Sequence, residues 1–129
     1  MRKHEIIKEM FLTAEKRLEI AEASIKLEGY ADSVSRSYYA VFDIIRGMLE
    51  LEKTVAKTQS GAIAKFSEIF IKTGKIDKKY STLIKRMEKE REEADYKFKA
   101  NINISDAKEA YNQAKEFVEE VKKYLEESE

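Results

Sequence analysis

The chain has 129 residues, in which 25 Lys plus Arg balance 25 Asp plus Glu, and it contains no Cys, Pro or Trp. Zero net charge argues against a protein that holds nucleic acid by bulk electrostatics, and the missing Cys removes disulfides, thiolate chemistry and Cys-based metal sites. Hydrophobic residues reach 43%, too many for a disordered chain. The expectation is one domain over residues 1–129 with a modest core. With no leading apolar stretch and no apolar run of about 18 residues, a cytoplasmic protein without a membrane segment is expected.

Ile7, Phe11, Ala14, Leu18, Ala21 and Ile25 recur at four-three spacing and predict a first helix from about Arg2 to Glu28. Gly29 is placed to end it as a left-handed residue. A second helix, about Ala31 to Glu52, carries Ala31, Val34, Tyr38, Val41, Ile45 and Met48 on one face. Lys53 to Thr58 reads as a polar connection. A shorter third helix then holds Ala62, Ile63, Phe66, Ile69 and Phe70, and Gly74 closes it. Asp77 suits the N-cap of a fourth helix running to about Ala100. Asn101-Ile102-Asn103 interrupts the pattern, and Ser105 or Asn103 can cap a fifth helix built on Ala107, Tyr111, Ala114, Val118, Val121 and Leu125. No segment alternates with period two, so no strand is predicted. Long helices with short connections pack antiparallel, and the expected fold is all-α, an up-and-down bundle of four to five helices.

The fourth helix holds the residue that fits this pattern least. Tyr80, Ile84, Met87, Arg91, Ala94 and Phe98 share one face. Five of them can pack on a core; Arg91 cannot without a partner for its charge. On a structural reading Asp95, one turn later, or Asp43 of the second helix supplies that partner. On a functional reading Arg91 faces a dimer interface or a ligand groove. The second helix carries Ser35-Arg36-Ser37-Tyr38-Tyr39-Ala40-Val41-Phe42. Tyr38 and Tyr39 point about 100° apart, so they cannot be equally buried. Arg36 with one of them either lines a groove or belongs to ordinary packing. Arg36, Ala40, Asp43 and Gly47 share a face whose two small residues let another helix come close.

His4 is the sole histidine and lies near the terminus, where a solvated side chain is the ordinary outcome. One copy therefore cannot supply the Glu-x-x-His pairs of a di-iron bundle, nor a Ser-His or Cys-His nucleophile. Gly61, in Lys57-Thr58-Gln59-Ser60-Gly61, precedes the third helix, whose N-terminus could attract an anion; such a glycine is more often only a turn. No metal and no cofactor is expected.

Taken together, Ser35–Phe42, Lys57–Gly61 and Arg91-Glu92-Glu93-Ala94-Asp95-Tyr96 resemble the HEPN superfamily in its compact prokaryotic form. The resemblance implies a bundle of four or five helices, a homodimer, and a gene pair with a minimal nucleotidyltransferase in a toxin–antitoxin-like module. Active members are metal-independent ribonucleases that join Arg and His of an Arg-x(4–6)-His motif across the dimer interface. Here Arg91 is followed, after four residues, by Tyr96 rather than His; Lys97-Phe98 stands where related toxins continue with x-Tyr, and Gln59 stands where relatives often have His. Tyrosine, with a pKa near 10, is a poor general base at neutral pH, and loss of the base forfeits roughly 10²- to 10⁴-fold in rate.

Three readings follow. In the first, the protein is a non-catalytic or degenerate HEPN partner of a nucleotidyltransferase. Its dimer groove, lined by Arg91, Asp95 and Tyr96 with Arg36, Tyr38, Tyr39 and Asp43, binds a nucleotide, RNA or the partner. In the second it is an RNase toxin using Arg91 and Tyr96 as the catalytic pair. In the third it is a purely structural bundle whose Arg91–Asp95 pair sets helix register.

Overall fold

The structure, a computed structural model, describes residues 2–96 (of Tyr96 the backbone only) and 101–128. The described residues form five α-helices: α1 (Lys3–Lys26), α2 (Tyr30–Leu51), α3 (Gln59–Phe66), α4 (Lys79–Tyr96) and α5 (Ile104–Glu127). No strand occurs among the described residues. None of the described helices is long and apolar enough to cross a membrane. The predicted end of the fourth helix near Ala100, with Phe98 of its seam, lies outside the described residues.

The helix ends are set by local chemistry. The Arg2 backbone N–H donates to the Glu5 carboxylate at 3.1 Å, which satisfies one of the orphan donors at the start of α1. At its other end the left-handed residue is Glu28, with φ 64°, and not the expected Gly29, whose φ is −90°. Gly29 instead donates its N–H to the Ser24 carbonyl at 2.7 Å and stands at the start of α2. The left-handed residue thus precedes the glycine by one position. Asp77 does cap α4, accepting from the Lys79 N–H at 2.8 Å. Of the two candidates for α5, Asn103 is the cap, in a reciprocal capping box with Asp106.

α2 is the hub of the bundle and packs against α1, α3, α4 and α5. Its sequence explains this: Val34, Tyr38, Ala40, Val41, Phe42, Ile44, Ile45, Met48 and Leu49 are all buried, a stripe too wide for one neighbour. α1 meets it closely because residue 47 is glycine. A Cβ there would lie 2.7 Å from the Met10 Cβ and 2.3 Å from its sulfur. The face of Ala40, Asp43 and Gly47 therefore receives α1 of the same chain, and it is no longer an argument for a second subunit.

α3 runs on into one wide π-helical turn, Ser67–Ile71, which brings Phe70 and Ile71 into the core together. Gly74, at φ 81°, ends this segment as expected. Phe66, Phe70, Tyr80 and Phe117 then form an aromatic cluster with neighbouring ring centroids 5.2 to 5.7 Å apart, Phe117 meeting Phe66 and Tyr80 edge to face and Phe66 tilted on Phe70. Each such fully buried side chain contributes about 1.5–3 kcal/mol, and the cluster ties α3, α4 and α5 together below the polar site described next.

Candidate site around Arg91

Antiparallel α2 and α4 bring two i, i+4 pairs against each other. Ser35 and Tyr39 lie one turn apart on α2; Arg91 and Asp95 lie one turn apart on α4. The Ser35 hydroxyl donates to Asp95 Oδ1 at 2.5 Å, forming an outer layer. The inner layer is Arg91 against the tyrosines. Its guanidinium carbon lies 5.2 Å from the Tyr38 ring centre and 5.9 Å from that of Tyr39, and the two rings meet edge to face at 5.1 Å. Arg91 is the only charged residue among the buried ones described, at 8% exposure.

The Thr58 cap sets the third corner of the site. Its hydroxyl oxygen accepts from the Gly61 N–H at 2.9 Å, so Gln59 opens α3. From there Gln59 Oε1 accepts the Tyr38 hydroxyl at 3.0 Å and an Arg91 N–H at 3.3 Å. Gln59 was noted in the sequence only as a substitute for histidine; it is the bridge of the site. Ser60, next to it, donates to Glu88 at 3.3 Å, one turn before Arg91 on α4.

Arg91 is under-coordinated for a buried guanidinium. It contacts Asp95 Oδ2 at 3.5 Å, well beyond the roughly 2.7–2.9 Å of a good charge-assisted bond. Its Nε is buried with no hydrogen-bond partner among the described residues. Burial pulls its pKa down, but Tyr39, Tyr38 and Asp95 outweigh that pull and the net shift is upward, so the cation persists at all ordinary pH. The Tyr38 hydroxyl is pushed up to about 12, first by burial and then by Glu88, with Arg91 opposing both. Tyr38 is therefore a neutral hydrogen-bond donor at neutral pH, and no base.

Of the residues singled out in the sequence, Arg91, Asp95, Tyr38 and Tyr39 come together. Tyr38 is the core tyrosine, at 1% exposure, and Tyr39 the half-buried one. Asp43 does not reach Arg91: it accepts from Arg17 of α1 at 2.5 Å. Of the two expected partners, Asp95 meets Arg91 at 3.5 Å and Asp43 does not, because the Asp43 face of α2 is the one covered by α1. Arg17 was not foreseen, although its guanidinium also lies 5.5 Å from the Tyr39 ring and gives that ring a second cation. Arg36 is exposed on α2 and makes no contact with the cluster among the described bonds. The side chain of Tyr96 lies outside the described residues. Its backbone position ends α4, about 140° around the helix from Arg91 and about 7.5 Å further along. His4, in the exposed first turn of α1, is thirteen residues from Arg17, or about 20 Å along the helix.

Comparison with known proteins agrees with this geometry in extent. The model of the HEPN domain matches residues 7–124. "Putative toxin MJ0142" of Methanocaldococcus jannaschii is 32% identical over 112 residues, covering 87% of this chain and 76% of the relative. The "UPF0332 protein" of Thermotoga maritima is 28% identical over 124 residues, covering 96% and 94%. A match over nearly the whole bundle, from α1 to α5, places this chain in the HEPN family.

Proposed function

We propose that this is a toxin-related HEPN protein that binds an RNA phosphodiester at Arg91 without cleaving it efficiently. One observation carries the reading: a nearly buried arginine, pinned on two tyrosine rings, meets its own carboxylate only at 3.5 Å and a glutamine at 3.3 Å, which leaves donor capacity on its Nη edge. A rigid, partly desolvated guanidinium of this kind suits a phosphate oxygen in two-pronged contact. The names of the relatives support a toxin-related role.

Efficient cleavage needs a group to take the 2′-hydroxyl proton. Tyr38 holds its proton to about pH 12, and His4 is far along α1 within one chain. Tyr96 as the second catalytic residue remains the competing reading. The protein acts as a homodimer and has a minimal nucleotidyltransferase as its partner; both rest on the motif resemblance alone. Light scattering should give twice the 15.0 kDa chain mass.

The deciding experiment measures binding of a labelled single-stranded RNA by fluorescence anisotropy, for wild type and Arg91→Met. Binding that Arg91→Met abolishes supports the reading; equal binding by both proteins ends it. A tRNA mixture incubated with wild type in EDTA should stay intact. Cleavage that depends on Arg91 and Tyr96 would replace our reading with the ribonuclease one.

A further inference from the structure

The Ser35–Asp95 contact has no evident role in packing. Ser35 is half-buried, Asp95 is exposed, and neither belongs to the apolar core. Yet their bond is the shortest contact in the cluster at 2.5 Å, whereas the same carboxylate stands 3.5 Å from the cation one turn away on its own helix. Opposite charges four residues apart on a helix lie within reach of each other. Here the serine of the neighbouring helix holds one oxygen, and the other reaches Arg91 only at long range.

Resting on the reading that Arg91 takes a phosphodiester, we infer that Asp95 is the site's built-in competitor and that Ser35 holds it off the guanidinium. In the free protein Asp95 supplies part of the counter-charge, which keeps a nearly buried cation tolerable. An incoming phosphate oxygen takes the Nη edge, and Asp95 keeps its place on Ser35. The apparent affinity of Arg91 for an anion is the intrinsic affinity reduced by the fraction of molecules in which Asp95 occupies the cation. Ser35 lowers that fraction. Loss of the carboxylate and loss of the hydroxyl must then act in opposite directions, which no simple contact role predicts.

The experiment is the same anisotropy titration with short single-stranded RNA on five full-length variants, each first shown to be folded by circular dichroism. Asp95→Asn, which cannot neutralise Arg91, should bind about three- to tenfold more tightly than wild type, and Ser35→Ala should bind about three- to tenfold more weakly. Ser35→Thr, which keeps the hydroxyl, should behave as wild type. Glu92→Gln removes one exposed charge on the same helix and controls for general electrostatics. Its effect should be under about twofold. Arg91→Met should abolish binding. If RNA binding is independent of Arg91, the functional reading itself falls. If binding needs Arg91 but Ser35→Ala leaves it unchanged or tightens it, or Asp95→Asn gains no more than Glu92→Gln, the competitor role alone is overturned. A Ser35→Ala protein that does not fold leaves the Asp95→Asn and Glu92→Gln comparison to decide.

Discussion

Replacing Arg91 by Met removes a nearly buried cation and keeps an unbranched side chain in its place. No partner is stranded by the change. Gln59 Oε1 still accepts from the Tyr38 hydroxyl at 3.0 Å, and Asp95 still accepts from Ser35 at 2.5 Å. The losses are two long hydrogen bonds, at 3.3 and 3.5 Å, and two cation–π contacts; each cation–π contact is worth about 0.5–2 kcal/mol. The gains are relief of a buried Nε that has no partner among the described residues, worth about 1–3 kcal/mol, and a thioether–aromatic contact of about 0.3–1.5 kcal/mol. Buried ion pairs replaced by apolar side chains commonly give equal or greater stability, by up to about 4 kcal/mol.

Arg91→Met is therefore expected to lie between roughly 0 and 2 kcal/mol above wild type. Urea unfolding with an unchanged m-value is the measurement. Asp95→Ala, which leaves Arg91 without its carboxylate, should instead lose about 1–2 kcal/mol. The double variant should recover most of that loss, because the two residues act as one unit. Arg91→Met melting with a loss above about 2 kcal/mol would refute the reasoning: the arginine would then be a structural keystone, and its spare donors would carry no functional message.

Gly47→Ala should destabilise the protein by about 1–3 kcal/mol through overpacking, seen as a lower urea midpoint. Truncating Met10 to Ala in the same chain should not restore it, since the added Cβ still meets the Met10 Cβ at 2.7 Å. Tyr38 ties stability to alkaline pH. Its folded pKa of about 12 lies above the ordinary value near 10, so the folded state holds the proton longer. Its contribution is whole below pH ~10 and is lost as pH rises toward 12. Tyr38→Phe should flatten that part of the stability curve, and absorbance titration should show Tyr38 among the last tyrosines to ionise. Glu90 on α4 is shifted upward by burial, with Glu109, Asp106 and Glu93 adding to it and Arg86 opposing. Its folded state also prefers the proton, so stability falls as pH rises through the ordinary carboxylate range. Glu90→Gln should stabilise at pH 7, with the gain fading below about pH 4.

Helix number, order and most termini were readable from the sequence because they are local. Apolar residues at four-three spacing must share a face, Asp77 and Asn103 have cap chemistry, and Gly74 meets a left-handed turn. The displaced turn at Glu28–Gly29 shows the limit of that reading: either residue can take positive φ when the next helix fixes the geometry. The oddity of Arg91 was equally legible, since a cation in an apolar phase is visible without coordinates. Its partners were not. Asp43 and Asp95 are equal candidates on paper, and only the choice of α1 to cover the Gly47 face hands Asp43 to Arg17 and leaves Asp95 with Ser35. Gln59 enters the site because α3 folds back over α2, a contact between residues 21 apart that no periodicity encodes. The sequence by itself determined which faces are apolar and that one of them carries a charge. The tertiary structure decided which helix covers each face, and so which side chains meet that charge, because pairing across helices depends on close packing of the whole bundle and not on the period of any one segment.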